Sequence, residues 1–352
     1  MTDRRPFEDV QPAEDGFSIP AEKWRELLFI GALRRQGEAF VRDLTRPLPR
    51  FRTPNLFPPE ARFFPAVEAG RVRLRVERPA GTPPASEEPS LAGSRLAHRL
   101  EAAEVAWTIA LGAALRHHDP AAEVASEERA GGIAVCLGSH SPWTRALGLG
   151  IETSLTLPDL EAIEDFFRAR GCPPRIAACP FADPSLLGLT SAWGYAVVGF
   201  ESVLFRPLGP EDHFSAETAG ARVEILPRDQ PDLWVRSWLA AMEEGAPAYP
   251  FARALCAVGD PLLVRRGGEM AGVGALFHHQ RVALGFADAT LPGLRCRGVQ
   301  GALIEARLAQ AMAGGCDLAM AVTEPGSAVQ RNHERAGFRL AYSRAILARA
   351  LG

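Results

Sequence analysis

Lysine is almost missing from this sequence, and its scarcity excludes two kinds of chemistry. Among the 352 residues, Lys23 is the only lysine. Schiff-base catalysis needs a lysine amine, and a phosphate-binding P-loop needs one in the motif GxxxxGK[ST], which occurs nowhere in the chain. The basic residues are therefore nearly all arginine, and we take this bias, together with abundant alanine, to indicate a GC-rich bacterial genome.

Cysteine is scarce, and long apolar runs are absent. The six cysteines are scattered and form no CxxC pair. Such spacing favours reduced thiols over a disulfide framework or a zinc site, so we expect no bound metal. No apolar run approaches the ~18 residues of a membrane span, and no basic-then-apolar leader opens the sequence. We therefore expect a cytoplasmic protein with no membrane partner.

A charge excess of one sign is lacking as well. The 39 basic and 42 acidic residues leave a formal net charge of -3. This balance provides no basic field for the phosphates of nucleic acid, so we expect no nucleic-acid partner. The hydrophobic share of 47% is that of an ordinary globular protein, and the length favours more than one domain.

Residues 1–93 have the least regular pattern, and we assign them to an N-terminal extension. We expect a helix within 21–43 and no regular structure across the prolines at 47–59. Strict alternation of arginine and apolar residues over 71–76 predicts a half-exposed strand. The low-complexity, proline-rich segment 79–89 indicates a flexible linker.

From residue 94 onward, helical and strand periodicities alternate in an order that occurs twice. A helix, a glycine, a strand, a second helix with a terminal glycine and a strand follow one another within 159–206 and again within 299–347. Helix–glycine–strand order is common in α/β proteins, so an accidental match stays open beside a duplication. We predict a duplicated α/β unit with domains at 94–209 and 210–352.

A basic, glycine-bearing turn opens the first helix of the second copy. It runs Arg295-Cys-Arg-Gly-Val-Gln-Gly301 and follows a predicted strand. The first N–H groups of a helix lack acceptors and carry the positive end of its dipole, so they attract phosphate. No GxGxxG follows a first strand, which argues against a dinucleotide site. Taken alone, the turn fits an unliganded, arginine-rich helix start equally well.

The surrounding order of elements resembles the GCN5-related N-acetyltransferase (GNAT) superfamily. The segment RCRGVQGALI (295–304) is similar to that family's acyl-CoA pyrophosphate loop, and RNHERAGF (331–338) to its second signature. The resemblance covers 222–352, and a weaker one without the loop covers 94–208. It implies an α/β (α+β) fold with a GNAT-like mixed central sheet flanked by helices. Two copies would lie in tandem after the N-terminal extension, the first of them degenerate.

The resemblance also implies acetyl-CoA as co-substrate. The end of the strand 282–290 would bond the pantetheine arm, and the loop amides would hold the pyrophosphate. Gly285 would mark the bulge that opens this strand or simply allow close packing. The predicted cofactor-binding residues are Ala287, Asp288, Ala289, Arg295, Cys296, Arg297, Gly298, Val299, Gln300, Gly301, Ser327 and Asn332. The first copy has no such loop, so we expect no CoA there.

The catalytic residues depart from the family pattern. Many members carry a tyrosine that protonates the leaving thiolate where this chain has His333, and some carry a glutamate base where Ala321 stands. An imidazole titrates near neutral pH, so His333 is one candidate acid, although a helix histidine without function is the plainer interpretation. Tyr342 is the second candidate, although strand aromatics are usually core.

The resemblance thus predicts an acetyl-CoA-dependent N-acyltransferase. The acceptor would be an unidentified small-molecule or peptide amine, and a homodimer stays open. The alternative is a non-catalytic acyl-CoA-binding sensor or interaction module. The segments 140–158 and 245–260, expected to be pocket loops, carry no signature that selects an acceptor.

Overall fold

The protein divides into two units in a computed structural model. The first is Met1–Glu88 and the second is Pro89–Gly352. The structure describes residues 11–13, 16–20, 24, 33–36, 39–42, 62–68, 71–77, 94–139, 141–215, 217–218, 220–227 and 230–350. The domain boundary expected at 209/210 falls inside the second unit and stays a prediction.

The described part of the first unit is an antiparallel sheet. Its strands are β1 Gln11–Ala13, β2 Gly16–Pro20, β3 Leu33–Gln36, β4 Ala39–Arg42, β5 Arg62–Glu68 and β6 Arg71–Glu77. They lie in the order β1-β2-β6-β5-β4-β3. The alternation predicted for β6 is confirmed, because Val72 and Leu74 are buried while Arg73 and Arg75 are exposed.

The helix predicted within 21–43 is wrong over its second half, where β3 and β4 form a hairpin. Phe40 and Val41 pair with Phe63 and Arg62 of β5. Strand formation depends on such non-local partners, and the local apolar spacing does not contain them. The prolines at 47–59 and the linker predicted at 79–89 lie outside the described residues.

The second unit carries one mixed sheet flanked by helices, as the predicted fold class requires. Its helices are α1 Ser94–His118, α2 Leu157–Arg168, α3 Ser185–Ala192, α4 Pro231–Met242, α5 Tyr249–Val258, α6 Val299–Ala313 and α7 Ala328–Arg335. Its strands are β7 Val124–Arg129, β8 Gly132–Leu137, β9 Arg145–Leu147, β10 Arg175–Ala178, β11 Ala196–Pro207, β12 Glu217–Thr218, β13 Ala221–Ile225, β14 Asp260–Arg266, β15 Glu269–His279, β16 Val282–Thr290, β17 Leu318–Thr323 and β18 Arg339–Ala348.

Both halves of this unit contain the predicted order of helix, strand, helix and strand. It is α2, β10, α3 and β11 in the first half, and α6, β17, α7 and β18 in the second. The sheet order is β12-β13-β14-β15-β16-β17-β11-β18-β10-β9-β8-β7. The last strand of each half therefore lies between strands of the other half. This exchange makes one continuous sheet of the two copies.

The helices cover the sheet on two faces. On one face, Leu100 of α1, Trp234 of α4 and Leu255 of α5 pack into the largest buried cluster. On the other face, Leu303 of α6 lies in a separate cluster, and α2 and α3 cover the first half. Within the described residues, no helix has both the length and the apolar character needed to cross a bilayer.

The two segments expected to be pocket loops are partly regular structure, so their prediction as loops is wrong. The segment 245–260 contains α5, whose start carries Pro250, a residue well tolerated in the first turn of a helix. The segment 140–158 contains the buried strand β9 and the start of α2. A three-residue strand is too short for its periodicity to show in sequence.

Candidate functional site

Strands β16 and β17 begin as neighbours and then separate. Their parallel pairing joins Val282–Leu284 to Leu318–Met320, although both strands continue beyond it. Past Leu284, the edge of β16 therefore presents backbone N–H and C=O groups that have no partner in β17. The opening belongs to a cleft of about 540 Å³ that is lined by residues of both strands.

A bulge in β16 lies at this opening. Ala275 of β15 pairs with Phe286, but Val273 pairs with Ala289, so the two residues 287–288 lie opposite a single residue of β15. Ala287 has a φ of 56°, in the left-handed region that side chains rarely adopt. A bulge bends the strand that carries it, which is consistent with the separation of β16 from β17 beyond Leu284.

Gly285 does not mark that bulge. A Cβ added there would lie 3.2 Å from Nη1 and 3.3 Å from Cδ of Arg307 on α6. The bulge itself is two residues further on, at Ala287. Of the two interpretations left open by the sequence, close packing is the one that the contacts support.

The side chain of Asp288 contacts other side chains of the protein interior. It forms an ion pair with the buried Arg307, whose Nη2 also donates to Phe286 O at 2.8 Å. Burial by itself would raise the pKa of Asp288, but the Arg307 guanidinium outweighs it and holds that pKa below its ordinary value. This pair braces the bulge from the α6 side, so only the backbone of 287–289 is left to meet a ligand.

The basic turn before α6 is open to solvent. Residues 295–298 are exposed, and Gly298 precedes the helix with a φ of 80°. A Cβ added at Gly298 or Gly301 would meet no atom within 4 Å. The N–H of Ala302 donates to Gly298 O at 3.0 Å, and the helical amides before it have no acceptor within the helix. Free amides facing open space fit a pyrophosphate.

Two arginine contacts hold this turn in place. Arg266 Nη1 donates to Arg297 O at 2.6 Å, and Arg295 Nη2 donates to Ala241 O at 3.4 Å. Cys296 lies between them with a φ of 60° and is exposed. Val299 is buried under the turn, which anchors the start of α6.

Three of the predicted cofactor residues are joined by side-chain hydrogen bonds. Gln300 Nε2 donates to Asp288 Oδ2 at 3.1 Å, and Asn332 Nδ2 donates to Gln300 Oε1 at 2.7 Å. Ser327 instead caps α7, where its Oγ accepts from the N–H of Gln330 at 3.1 Å. Their roles toward a cofactor stay predictions, because these contacts are internal.

His333 is buried on the α6 side of the sheet. Its Nδ1 lies 2.9 Å from Val329 O, and since a carbonyl only accepts, Nδ1 carries the proton and Nε2 does not. Burial lowers the pKa of His333, although Asp288 partly opposes this shift. A neutral imidazole with a bare Nε2 accepts a proton more readily than it donates one. The role of His333 as the acid stays a prediction.

Tyr342 is buried on the α1 side, away from His333. Its hydroxyl donates to Glu101 Oε1 at 2.6 Å, and burial, followed by the nearby Glu101 charge, raises its pKa well above the ordinary value. The two candidate acids therefore do not share a site. The catalytic role of Tyr342 likewise stays a prediction.

The low pKa of His333 predicts how stability depends on pH. We expect acidification from pH 7.5 to 5.5 to destabilise the wild type more than a His333→Leu variant. The unfolded chain takes up a proton near the ordinary histidine pKa of ~6.5, whereas in the folded chain burial lowers the His333 pKa and Asp288 only partly opposes this shift, so the folded chain resists protonation until lower pH. Urea unfolding at both pH values measures the difference. The exposed His213→Leu variant should keep the wild-type dependence, and an equal loss in the His333 variant would contradict the expectation.

A buried charge cluster lies where the two halves exchange strands. We name it the Arg344 cluster; it comprises Glu101, Glu104, Arg145, Glu201 and Arg344. Arg344 of β18 lies 3.1, 2.6 and 2.7 Å from carboxylate oxygens of Glu101, Glu104 and Glu201. Arg145 of β9 adds contacts of 2.8 Å to Glu104 and 2.6 Å to Glu201.

The carboxylates of this cluster differ in their electrostatics. Burial raises the pKa of Glu101. Burial acts on Glu104 in the same direction, but Arg344 and Arg145 outweigh it and lower its pKa. No residue of the Arg344 cluster was among the site residues predicted from sequence. The available signal was the pair of glutamates, 101 and 104, beside the apolar positions Leu100, Ala103 and Trp107 of α1.

The cleft extends from the strand opening to this cluster. Beyond β16 and β17 it is lined by Glu104 and Trp107 of α1, by Trp143 and Arg145, and by residues 198–201 of β11. None of them was among the predicted site residues, although Trp143 and Arg145 lie in the segment 140–158 that was expected to border a pocket. They come from the first half, so one cleft combines the strand opening of the second half with a wall from the first.

Comparison with known proteins agrees with this architecture. No family model matches the sequence, and no curated protein matches it either. A GCN5-related N-acetyltransferase from Kribbella flavida is similar in structure, with a TM-score of 0.54 and 17% sequence identity over 73% of this chain and 96% of that chain. A GCN5-related N-acetyltransferase from Sphaerobacter thermophilus gives a TM-score of 0.45 at 16% identity over 65% of this chain and 75% of that one.

A tandem GNAT protein from the clavulanic acid biosynthesis pathway gives a TM-score of 0.47 at 15% identity, over 62% of this chain and 78% of that one. At these sequence identities the similarity concerns the fold alone. Of these three proteins, the one from Kribbella flavida has the TM-score that supports a shared fold. The twelve-stranded sheet, the separating strands and the repeated helix–strand–helix–strand order agree with that likeness. This chain therefore has the fold of the GCN5-related N-acetyltransferases.

Proposed function

We propose that this chain is an acetyl-CoA-dependent N-acyltransferase that moves an acetyl group to the amine of an acceptor. The observation that carries the proposal is the separation of β16 from β17 beside an open helix start. An unpaired strand edge can bond amide groups of a ligand, and a glycine-bearing helix start can bond its phosphates. A ligand that has both parts, as acetyl-CoA does, fits the two features together.

The proposed cofactor contacts follow the residues predicted from sequence. The backbone amides of 295–301 would hold the pyrophosphate, with Arg295 and Arg297 adding positive charge. The backbone of 287–289 would pair with the pantetheine arm as an added strand. Asp288, Gln300 and Asn332 would keep these two backbone segments in register through their hydrogen-bonded chain.

Bound acetyl-CoA would supply an acetyl group activated as a thioester. In the transfer, the amine nitrogen forms a bond to the carbonyl carbon, the carbon–sulfur bond breaks, and its electron pair leaves on sulfur. The nitrogen loses one proton and the thiolate gains one. An unpaired N–H of β16 near the bulge would stabilise the negative carbonyl oxygen, and alignment of both reactants would supply much of the remaining acceleration.

The leaving thiolate needs a proton donor. His333 and Tyr342 are the protein candidates, but each already donates its proton to an internal acceptor. We therefore propose that the thiolate takes its proton from solvent in the cleft.

Acetyl-CoA binding and amine turnover test the proposed function directly. We expect calorimetry to give one acetyl-CoA site per chain, and we expect a panel of primary amines to release free thiol from acetyl-CoA. Tight binding without turnover of any amine would favour the sensor alternative. A folded protein that binds no acetyl-CoA would exclude both.

A further inference from the structure

The cleft of about 540 Å³ has a chemical character that selects an acceptor, if the proposed function holds. Its volume lies within the range of small-molecule sites. One end is the strand opening, at Leu284–Ala287 and Val322–Glu324, where the acetyl group is proposed to lie. The other end is walled by the first half of the unit, so an acceptor in the cleft reaches the opening from that side.

The inner wall of the cleft is aromatic. The ring of Trp107 lies 5.8 Å from that of Trp143 in an edge-on arrangement and 5.4 Å from that of Phe286. Phe200 of β11 also lines the cleft and is 57% exposed. Such a wall favours a flat or apolar body and also attracts a cation through the faces of its rings.

Glu104 places a carboxylate in this aromatic surrounding. It is only 3% exposed, lines the cleft, and accepts from both Arg145 and Arg344 through Oε1. Its other oxygen, Oε2, has no hydrogen-bond partner among the described residues. A buried acceptor left unpaired is unfavourable, so a donor that reaches Oε2 from the cleft would be stabilised.

The charged residues that line the cleft are of both signs, and Glu104 and Glu201 share Arg145 within the Arg344 cluster. Of the charged residues that line it, Glu104, Glu201 and Glu324 are acidic, while Arg145 and Arg175 are basic. Arg145 is already paired within the Arg344 cluster. The arginines of that cluster keep Glu104 ionised despite its burial.

We infer that the acceptor is a primary amine on an aromatic body, whose ammonium group is recognised by Glu104 Oε2 and whose ring lies against Trp107, Trp143 and Phe286. That the amine is the acceptor rests on the proposed function, whereas its binding to the cleft does not depend on that function. Glu104 is a specificity residue here rather than the base, because an ionised carboxylate with a lowered pKa accepts protons poorly. The ammonium therefore loses one proton to solvent before its nitrogen attacks, and the nitrogen loses the second proton during the transfer.

Three matched probes test the inference by calorimetry on the full chain, with and without saturating CoA. Phenethylamine has both the ring and the ammonium, 2-phenylethanol lacks the charge, and ethylamine lacks the ring. We expect phenethylamine to bind at least tenfold more tightly than either of the others. Equal affinity for 2-phenylethanol would overturn the role of the charge, and equal affinity for ethylamine would overturn the role of the ring. Absence of phenethylamine binding in both conditions would overturn the inference.

Substitution of Glu104 tests whether its carboxylate contacts the ammonium group. We expect Glu104→Gln to weaken phenethylamine binding at least tenfold and to leave 2-phenylethanol binding unchanged. Glu164→Gln is the matched control, since Glu164 is also buried and paired with an arginine, Arg349, but does not line the cleft. Unchanged phenethylamine binding in folded Glu104→Gln would overturn the assignment.

A second variant covers the case in which Glu104→Gln does not fold. Because Phe200 is exposed, Phe200→Ala should fold and should weaken phenethylamine binding at least threefold, whereas Leu340→Ala, an exposed residue outside the cleft, should not. If Phe200→Ala and Leu340→Ala bound phenethylamine equally tightly, the cleft would not be the binding site.

Acetyl-CoA titration of the same wild-type protein separates the two proposals. Amine binding without acetyl-CoA binding would refute the acyltransferase, and acetyl-CoA binding without phenethylamine binding would refute only this acceptor.

Discussion

A Gly298→Glu variant should lose at least a hundredfold in acetyl-CoA affinity and still fold. Gly298 is exposed at the start of α6, and the space beside it holds no protein atom within 4 Å. A glutamate there brings a carboxylate and its bulk to the position proposed for the pyrophosphate. Repulsion between like charges and exclusion of the ligand from the amides both act against binding. Calorimetric titration of acetyl-CoA measures the loss.

The same substitution also strains the backbone, so its control must carry the same strain. Gly194, at the end of α3, has the same φ of 80° and equally open surroundings, but lies in the first half. Each substitution should cost about 1 kcal/mol of stability, because a side chain is disfavoured in the left-handed region. Gly194→Glu should keep wild-type affinity for acetyl-CoA. If Gly298→Glu also kept it, the pyrophosphate would not lie at this turn.

An Arg344→Met variant should lose about 3–5 kcal/mol of unfolding free energy at neutral pH. Arg344 is fully buried and contacts three carboxylates, on α1 and β11. Its removal leaves Arg145 to compensate Glu104 and Glu201, but leaves Glu101 with only the Tyr342 hydroxyl. A buried carboxylate without a cation is costly, and methionine fills the volume without supplying charge. Urea unfolding measures the change.

The pH dependence distinguishes this electrostatic cause from a packing defect. Without Arg344, the pKa of Glu101, already raised by burial, should rise further in the folded state. A group whose pKa is higher in the folded state stabilises at low pH, and that contribution is lost as pH rises through the folded pKa. The deficit of Arg344→Met should therefore be smaller at pH 5 than at pH 7.5.

The control for this prediction lies on the same strand. Arg339 of β18 is exposed and lies over the ring of Phe205, with 5.1 Å between the guanidinium carbon and the ring centre. Arg339→Met should change stability by less than about 1 kcal/mol. A deficit in Arg344→Met that matched this control, or that did not change with pH, would show that the Arg344 cluster contributes little.

The helices and strands of the second unit were largely predictable because their signals are local. The predicted strand 282–290 agrees in both ends with β16, and the order predicted within 299–347 is that of α6, β17, α7 and β18. In the first unit, the helix expected within 21–43 failed where β4 pairs with the distant β5. Strand pairing of this kind depends on residues far along the chain, which local periodicity does not contain.

The candidate site was likewise predictable only where its signals are local in the sequence. The turn at 295–301 could be predicted because an anion site at a helix start needs only consecutive residues: glycine, arginine and free amides. The bulge at Ala287 could not, because its cause lies in the pairing with β15 and in the Arg307–Asp288 pair. From the sequence, Gly285 was a candidate for either a bulge or close packing, and it is the residue that packs against Arg307.

By itself, then, the sequence determined most of the order of helices and strands from residue 94 onward, the repetition of that order, and the basic, glycine-bearing turn before α6. Only the tertiary structure decided that β11 and β18 are exchanged between the halves, and that Glu104, Trp107 and Phe286 line one cleft. The physical reason is that propensities, caps and helix dipoles act within a few residues. Burial of charge and the closure of a cleft depend instead on which distant segments share the same surface.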